Sequence, residues 1–219
     1  VQNDKNKVFQ LYKKIYFFNY LIFSFFSVSV FCLILPFVKM WMGENYLLST
    51  DTVFLLSLCF YIWGMRQSVG MVKNSAGIYR PDRFLALIEA AINIYLSIVL
   101  VKSIGIKGII LANIISMLII PFWSQPYLIY KNVFNKKMWS YYKKYFIYLS
   151  ITLFSGMITF FVCNLYTGRG FLKLLFNALV CVIIPNLVNL LLFYKTEEFT
   201  YLVRVLKNLM KKSNKKREA

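Results

Sequence analysis

The sequence predicts an all-α polytopic membrane protein with six transmembrane helices, and three observations support this fold class. First, 59% of the 219 residues are hydrophobic and 16% are charged, whereas soluble domains are about 45–50% apolar. Second, six nearly uncharged stretches each supply the ~20 residues that a helix needs to cross the hydrocarbon layer. Third, positive charge is concentrated in alternate connections between these stretches, which is typical of multi-pass proteins.

The individual spans follow from apolar runs and the charged residues that bound them. Lys14 and Lys39 enclose the first run, and Arg66 is the one charge that interrupts the second. Pro121 and Pro185 lie inside the fourth and sixth runs and predict kinks. Because lipid offers no partner to the backbone, each run is expected to be helical. The expected spans are residues 15–38, 52–72, 84–101, 108–130, 145–168 and 174–194.

The segments outside the spans are also expected to be helical in part. Residues 1–14 are predicted to form a cytoplasmic amphipathic lead-in. Residues 195–219 are predicted to form a cytoplasmic amphipathic helix that lies on the inner leaflet, followed by a basic tail.

The distribution of Lys and Arg predicts the orientation of the chain. Of the 26 cations, 21 fall on the side that carries both chain ends, and five fall on the other side. Cytoplasmic loops retain positive charge, so both termini are expected in the cytoplasm. The inward loops are expected to be longer than the outward ones, and their cations are expected to contact anionic lipid headgroups or the phosphates of an anionic ligand.

Composition argues against metal, cofactor, enzyme and nucleic-acid functions. The chain has no His, and its four cysteines stand singly in apolar runs, which predicts small packing residues without a metal site or disulfide. No cofactor is expected. Neither paired carboxylates nor a phosphate-cradling motif indicates an enzyme. Although the net charge is +18, the cations flank apolar runs, so we expect the lipid bilayer and not nucleic acid as the partner.

Basic residues near the inner end of the second span have two interpretations. Arg66 lies seven residues before Lys73, close enough for its side chain to snorkel to the headgroups. Alternatively, Arg66, Gly70, Lys73 and Gly77 form one helix face that leaves room for a phosphate.

A polar stripe of Glu89, Asn93 and Ser97 runs along the third span at intervals of four residues. It predicts either interhelical hydrogen bonds or the lining of a hydrophilic cavity for sugars. In the second case Glu89 would pair with Arg66 or Arg83, or would exchange a proton or cation. Further polar residues of the fourth and sixth spans are candidates for the same lining: Asn113, Ser116, Asn177, Asn186 and Asn189.

Four short strings, in their order and spacing, resemble a known family. They are Pro36-Phe37 followed by Trp41-Met42-Gly43, then Asn74-Ser75-Ala76-Gly77, Asn93-Ile94-Tyr95-Leu96-Ser97 and Gly105-Ile106-Lys107-Gly108-Ile109. The similarity covers mainly residues 30–120 and is to the C-terminal half of Wzx-type polysaccharide flippases. These belong to the multidrug/oligosaccharidyl-lipid/polysaccharide (MOP) exporter superfamily.

The resemblance implies one lobe of a MATE-like bundle of two six-helix lobes, in a bacterial cytoplasmic membrane. Such transporters flip undecaprenyl-pyrophosphate-linked oligosaccharides by alternating access, and an N-terminal six-helix lobe would be the partner. On this interpretation the pyrophosphate would first bind the cations near the cytoplasmic mouth, which are Arg66, Lys73, Arg80 and Arg83. The sugars would contact Asn93, Ser97 and Asn113.

Two rival functions remain open on the sequence. A drug/cation antiporter of the same superfamily would share the architecture and would use Glu89 for ion coupling. A non-transporting membrane assembly subunit would need neither cavity nor coupling ion.

Overall fold

The computed structural model describes the backbone of residues 2–168 and 170–217, and the side chains of these residues except 2–4, 80, 82, 206 and 209–217. The prediction of an all-α protein is confirmed, and these residues contain no strand. The helices are α1 (Gln2–Trp41), α2 (Thr50–Ser75), α3 (Arg80–Ile104), α4 (Ile106–Ile119), α5 (Pro121–Ile129), α6 (Trp139–Leu165), α7 (Gly170–Phe193) and α8 (Glu197–Arg217).

The described residues include six helical segments that are long and apolar enough to cross a membrane, so the chain is a multi-pass membrane protein. They are Lys5–Trp41, Thr50–Ser75, Arg83–Ile104, Ile106–Phe134, Trp139–Leu165 and Gly170–Phe193. The helices run alternately up and down. We call the end of the bundle with residues 76–79, 135–138 and α8 the terminal end. The opposite end, with residues 42–49, Gly105 and residues 166–168, is the distal end.

Two boundaries differ from the sequence prediction. The lead-in is not a separate segment, because α1 is one helix of 40 residues, about 60 Å long at 1.5 Å per residue. The fourth span is divided into α4 and α5 at Pro121, whose ring and missing N–H interrupt the helical ladder. In contrast, α7 continues through Pro185.

The expectation that the inward loops are the longer ones is wrong. Residues 76–79 and 135–138, at the terminal end, are connections of four residues each. The longest connection in the described part of the chain is residues 42–49, at the distal end. Most cations of the terminal end therefore lie on helix ends rather than in loops, so rigid elements position them.

Helix α1 occupies the centre of the fold and contacts α2, α6, α7 and α8. Its terminal half packs into an aromatic core of buried Tyr and Phe side chains, in which Tyr20 stacks on Tyr148 with ring centroids 4.1 Å apart. Helix α3 is peripheral and packs chiefly on α4. Its outer face is apolar and open, with Leu87 and Tyr95 67% and 68% exposed, as suits a face that contacts lipid.

Helix α8 is attached to the terminal end by three kinds of contact. Phe199 and Leu202 pack against the aromatic core. The ring of Tyr201 lies 3.9 Å from Lys14 Nζ, and Lys144 Nζ donates to Glu198 Oε1 at 2.8 Å. The predicted inner-leaflet face and basic tail extend into residues 209–219, whose side chains lie outside the described part.

The attachment of α8 is expected to weaken in acid. Burial raises the pKa of Glu198, but the hydrogen bond from Lys144 and nearby positive charge lower it more, so the pKa lies below its ordinary value of 4.5. The contribution of Glu198 is therefore complete above pH 4.5 and is lost as the pH falls through the lowered pKa. Amide hydrogen exchange of residues 197–208, corrected for intrinsic rates, should show lower protection in acid.

Glu198→Gln supplies the control for this prediction. The variant should show the weaker protection already at neutral pH, and its protection should no longer change with acid. Unchanged protection in both proteins across this range would contradict a role for the Lys144–Glu198 pair.

Candidate functional site

An ion pair inside the membrane joins α2 to α3. Arg66 donates from both terminal nitrogens to Glu89, at 2.8 Å to Oε1 and 3.1 Å to Oε2. Arg66 Nε also donates to Gln125 Oε1 of α5 at 3.1 Å. The side chains of Arg66 and Glu89 are 27% and 18% exposed. Three helices are thus held together at one point by a bidentate, charge-assisted contact, a geometry that suits the planar guanidinium.

The Arg66–Glu89 pair decides between the possibilities that the sequence left open. Arg66 does not snorkel to the terminal end, because its three guanidinium nitrogens are engaged by Glu89 and Gln125. The other candidate partner, Arg83, is exposed and places its guanidinium over the ring of Phe84, 4.7 Å from the centroid. In this conformation Arg66 is therefore not available to an incoming anion.

A second polar cluster links α3 to α4. Asn93 Nδ2 donates to Asn113 Oδ1 at 2.7 Å and to Ser116 Oγ at 3.2 Å. Ser97, one turn further along α3, is half-buried. The Asn93 amide therefore donates to two acceptors across the helix hairpin, so this part of the stripe forms the interhelical hydrogen bonds that one interpretation predicted.

Removal of the Asn93 amide should weaken the hairpin slightly. Asn93→Leu is expected to lower the free energy of unfolding by about 0.6 kcal/mol, the average for such bonds in membranes. Unfolding in SDS mixed micelles, followed by circular dichroism, measures the change. Asn186→Leu is the matched control, since Asn186 is exposed and bonds only to Val182 O of its own helix. An equal loss in both variants would contradict the role of Asn93.

The predicted face of Arg66, Gly70, Lys73 and Gly77 is shorter than expected, because only its first three residues lie on α2. Helix α2 ends at Ser75, and Gly77 lies beyond it in the left-handed region at φ 67°. Lys73 is buried at the end of α2, whereas Arg83 is exposed on α3. The side chain of Arg80 lies outside the described part. Of the four candidate cations, Arg66 and Lys73 lie on α2 and Arg83 lies on α3.

The amides of the sixth span are also separate from the polar stripe, because α7 packs on α1 and α6. Asn189 Oδ1 accepts a hydrogen bond from the Tyr20 hydroxyl at 2.6 Å. Asn177 lies towards the distal end, where it lines a cavity. These side chains do not complete a lining around Glu89 and Asn93.

A pocket that the sequence analysis missed opens at the terminal end, between α1, the connection after α5 and α6. Its volume is about 480 Å³. Four lysines line it, together with hydroxyl and aromatic side chains; we call it the terminal basic pocket. The lining residues are Phe9, Tyr12, Lys13, Tyr16, Tyr130, Lys136, Lys137, Ser140, Tyr141 and Lys144.

The chemistry of the terminal basic pocket suits an anion. Lys136 Nζ lies 4.2 Å from the ring centroid of Phe9, and Lys13 Nζ lies 5.6 Å from it. The buried Tyr12 hydroxyl has no hydrogen-bond partner among the described residues, so it is a donor that a ligand oxygen would satisfy. The sequence signal was present in residues 131–144, whose five cations predict contact with headgroups or phosphates but do not show that they converge with Lys13 on one pocket.

An apolar groove follows the same two helices deeper into the membrane. It has a volume of about 770 Å³ and lies between α1, α2 and α6. Aromatic and aliphatic side chains dominate its lining, among them Val28, Phe31, Phe54, Leu58, Leu153 and Phe160. The basic pocket contacts residues 9–16 of α1, and the groove contacts residues 27–31. The two sites are therefore stacked along α1, with the groove nearer the distal end.

The cysteines stand singly along the sequence, but three of the four meet in the folded structure. Cys32 of α1, Cys163 of α6 and Cys181 of α7 are buried, and their sulfurs lie within 4.8 Å of one another. Cys59 stands apart on α2. Spacing along the chain gave no sign of this cluster because each cysteine comes from a different helix.

Comparisons with protein-family models, with curated proteins and with solved structures found no match to this chain.

Proposed function

We propose that this chain is a transporter lobe that flips a polyprenyl-pyrophosphate-linked oligosaccharide across the bacterial cytoplasmic membrane. It would work with a second six-helix lobe, and both termini would be cytoplasmic. The observation that carries the proposal is the stacking of the terminal basic pocket and the apolar groove along α1 and α6. The resemblance to Wzx-type flippases supports the same substrate class.

The proposed substrate has a compact dianion or trianion joined to a long isoprenoid chain. Lysines and a buried phenolic donor suit the pyrophosphate, which needs positive charge and hydrogen bonds once it leaves bulk water. A groove that is apolar over most of its lining suits the isoprenoid chain. About 11 residues of α1 separate Tyr16 from Ser27, or roughly 16 Å at 1.5 Å per residue, a distance that one such lipid spans.

In the proposed function the pyrophosphate binds first in the terminal basic pocket, and not at Arg66. The Arg66–Glu89 pair is instead a latch between α2 and α3, since alternating access needs contacts that form in one state and break in another. When the latch opens, the pyrophosphate would move on to a second binding site, formed by Arg66 and the neighbouring Lys73 and Arg83. The amides of Asn93 and Asn113, and Ser97, would then face the sugars.

Lipid binding tests the proposal directly. The chain is reconstituted in nanodiscs, and the affinity for undecaprenyl pyrophosphate is compared with that for undecaprenol. We expect preference for the pyrophosphate, weakening with salt because exposed charges are screened. Lys136→Gln combined with Lys137→Gln should lower the affinity for undecaprenyl pyrophosphate about tenfold, which is equal to 1.4 kcal/mol of binding free energy.

Lys143→Gln is the matched control for the two lysines. Lys143 is exposed on α6 beside Lys144 but does not line the pocket, so its variant should bind like the unmodified chain. Equal affinity for undecaprenol and undecaprenyl pyrophosphate would overturn the proposal. Preferential binding of a lipophilic cation, displaced by protons, would favour the antiporter instead.

A further inference from the structure

Three buried thiols meet in the half of the bundle nearer the distal end, away from the terminal basic pocket and the Arg66–Glu89 pair. Cys32, Cys163 and Cys181 are 5%, 3% and 1% exposed, and every pair of their sulfurs is within 4.8 Å. Val28 and Val180 pack around them. The thiols come from α1, α6 and α7, so the rigid packing of three helices fixes their positions.

The separation of the sulfurs matches the size of a metal ion. A metal–sulfur bond is about 2.3 Å long, so three sulfurs arranged in a triangle around one ion lie about 4.0 Å apart. Sulfurs within 4.8 Å reach this arrangement by small side-chain rotations. A disulfide, with a bond of about 2.05 Å, would join two of the sulfurs and leave the third unused.

A second observation points to a ligand at the same place. Asn177 lies one helical turn before Cys181, on the same face of α7, and is 2% exposed. Its Oδ1 atom is buried and has no hydrogen-bond partner among the described side chains and backbone. Buried polar atoms are normally satisfied, so an unpaired carbonyl oxygen beside three thiols indicates a missing partner.

Access to the thiols is provided by a cavity of about 780 Å³ at the distal end, which we call the distal cavity. Its lining includes Cys32, Cys163 and Asn177. Lys173 also lines it, so positive charge is available to offset the negative charge of thiolates in a membrane protein. Lys39 lines it too but pairs with Glu44 Oε1 at 2.6 Å.

We propose that Cys32, Cys163 and Cys181 bind a thiophilic metal ion, and that monovalent copper is the ion the site fits. Soft thiolate ligands select Cu(I), zinc and iron–sulfur clusters, and three sulfurs complete a trigonal site for a single Cu(I) ion. Zn(II) needs a fourth ligand, for which this site offers only the Asn177 oxygen among the residues named here. On binding, each coordinating thiol releases its proton to water of the distal cavity, and the copper stays monovalent throughout.

A Cu(I) titration of the whole chain tests this site. The protein is purified in detergent under anaerobic, reducing conditions, and Cu(I) is supplied from a competing chromophoric chelator. We expect one tightly bound ion per chain, and copper X-ray absorption should show three sulfur neighbours. Cys32→Ser, Cys163→Ser and Cys181→Ser should each weaken binding at least tenfold. Cys59→Ser, the matched control, should bind like the unmodified chain.

Several results would contradict the proposal, in whole or in part. Unchanged Cu(I) affinity in the three cluster variants, or a loss as large in Cys59→Ser, would exclude the site. A disulfide between two of the three cysteines, found by mass spectrometry in protein isolated without reductant, would identify the cluster as a covalent crosslink instead. Tighter binding of Zn(II) than of Cu(I) would overturn the choice of copper. The thermal unfolding of each metal-free variant shows whether it is folded.

Discussion

Glu89→Gln is expected to lower the free energy of unfolding by about 3 kcal/mol, because it leaves the Arg66 charge uncompensated inside the membrane. Removal of one partner of a buried pair typically costs about 3–5 kcal/mol. We expect the lower end, since Arg66 and Glu89 are partly exposed at 27% and 18% and Gln125 still contacts Arg66 Nε. Unfolding in SDS mixed micelles, followed by tryptophan fluorescence, measures the loss.

A double variant separates the lost ion pair from a general packing defect. Arg66→Met combined with Glu89→Leu removes both charges, and replacement of a whole buried pair by apolar residues is often neutral. We therefore expect the double variant to recover most of the stability lost in Glu89→Gln. Arg83→Met, which removes an exposed cation of α3, should have little effect. A double variant less stable than Glu89→Gln would contradict the assignment of the loss to an unpaired charge.

Gly108→Ala is expected to lower the free energy of unfolding by about 2 kcal/mol by forcing α3 and α4 apart. A Cβ atom at Gly108 would overlap the carbonyl of Leu100 and lie 2.8 Å from Val101 N. Backbone atoms cannot rotate away, so the full overpacking cost of about 3 kcal/mol applies. About 1 kcal/mol is offset by the better helix propensity of Ala. The same SDS unfolding experiment measures the net change.

Gly70→Ala is the matched control for Gly108→Ala. A Cβ atom at Gly70, inside α2, meets nothing within 4 Å. The only expected effect is the gain in helix propensity, about 1 kcal/mol at most. If both alanine variants lost stability equally, the close approach of α3 and α4 at Gly108 would not be the cause.

The Arg66–Glu89 pair illustrates how far sequence could predict the polar network. A charge in an apolar span needs a partner, water or a route to the headgroups, so the sequence marked Arg66 and Glu89 as costly there and left snorkelling of Arg66 open. It could not decide between Arg66 and Arg83 as the partner of Glu89, because one lies on the neighbouring helix α2 and the other lies six residues before Glu89 on α3. The rotation of α2 and α3 about their axes makes that choice, and packing against α4 and α5 sets that rotation.

The terminal basic pocket illustrates a different limit. Each of its lysines was visible in the sequence, but positive charge on the inner side of a membrane protein already has an ordinary explanation in lipid attraction. What distinguishes these lysines is that α1 and α6 pack so that Lys13 and Lys144 face the same space as Lys136 and Lys137. That convergence involves positions more than 120 residues apart.

The sequence by itself determined the helical fold class and the number of spans, because the need to pair every backbone group in lipid acts locally on each apolar run. It also determined which polar side chains inside the spans needed partners. The tertiary structure decided which residues became neighbours: it paired Arg66 with Glu89, separated the α7 amides from the α3 stripe, and brought three cysteines together. Which residues become neighbours depends on how whole helices pack and rotate about their axes. The hydrophobic period and the residue spacing along the chain do not determine that packing or rotation.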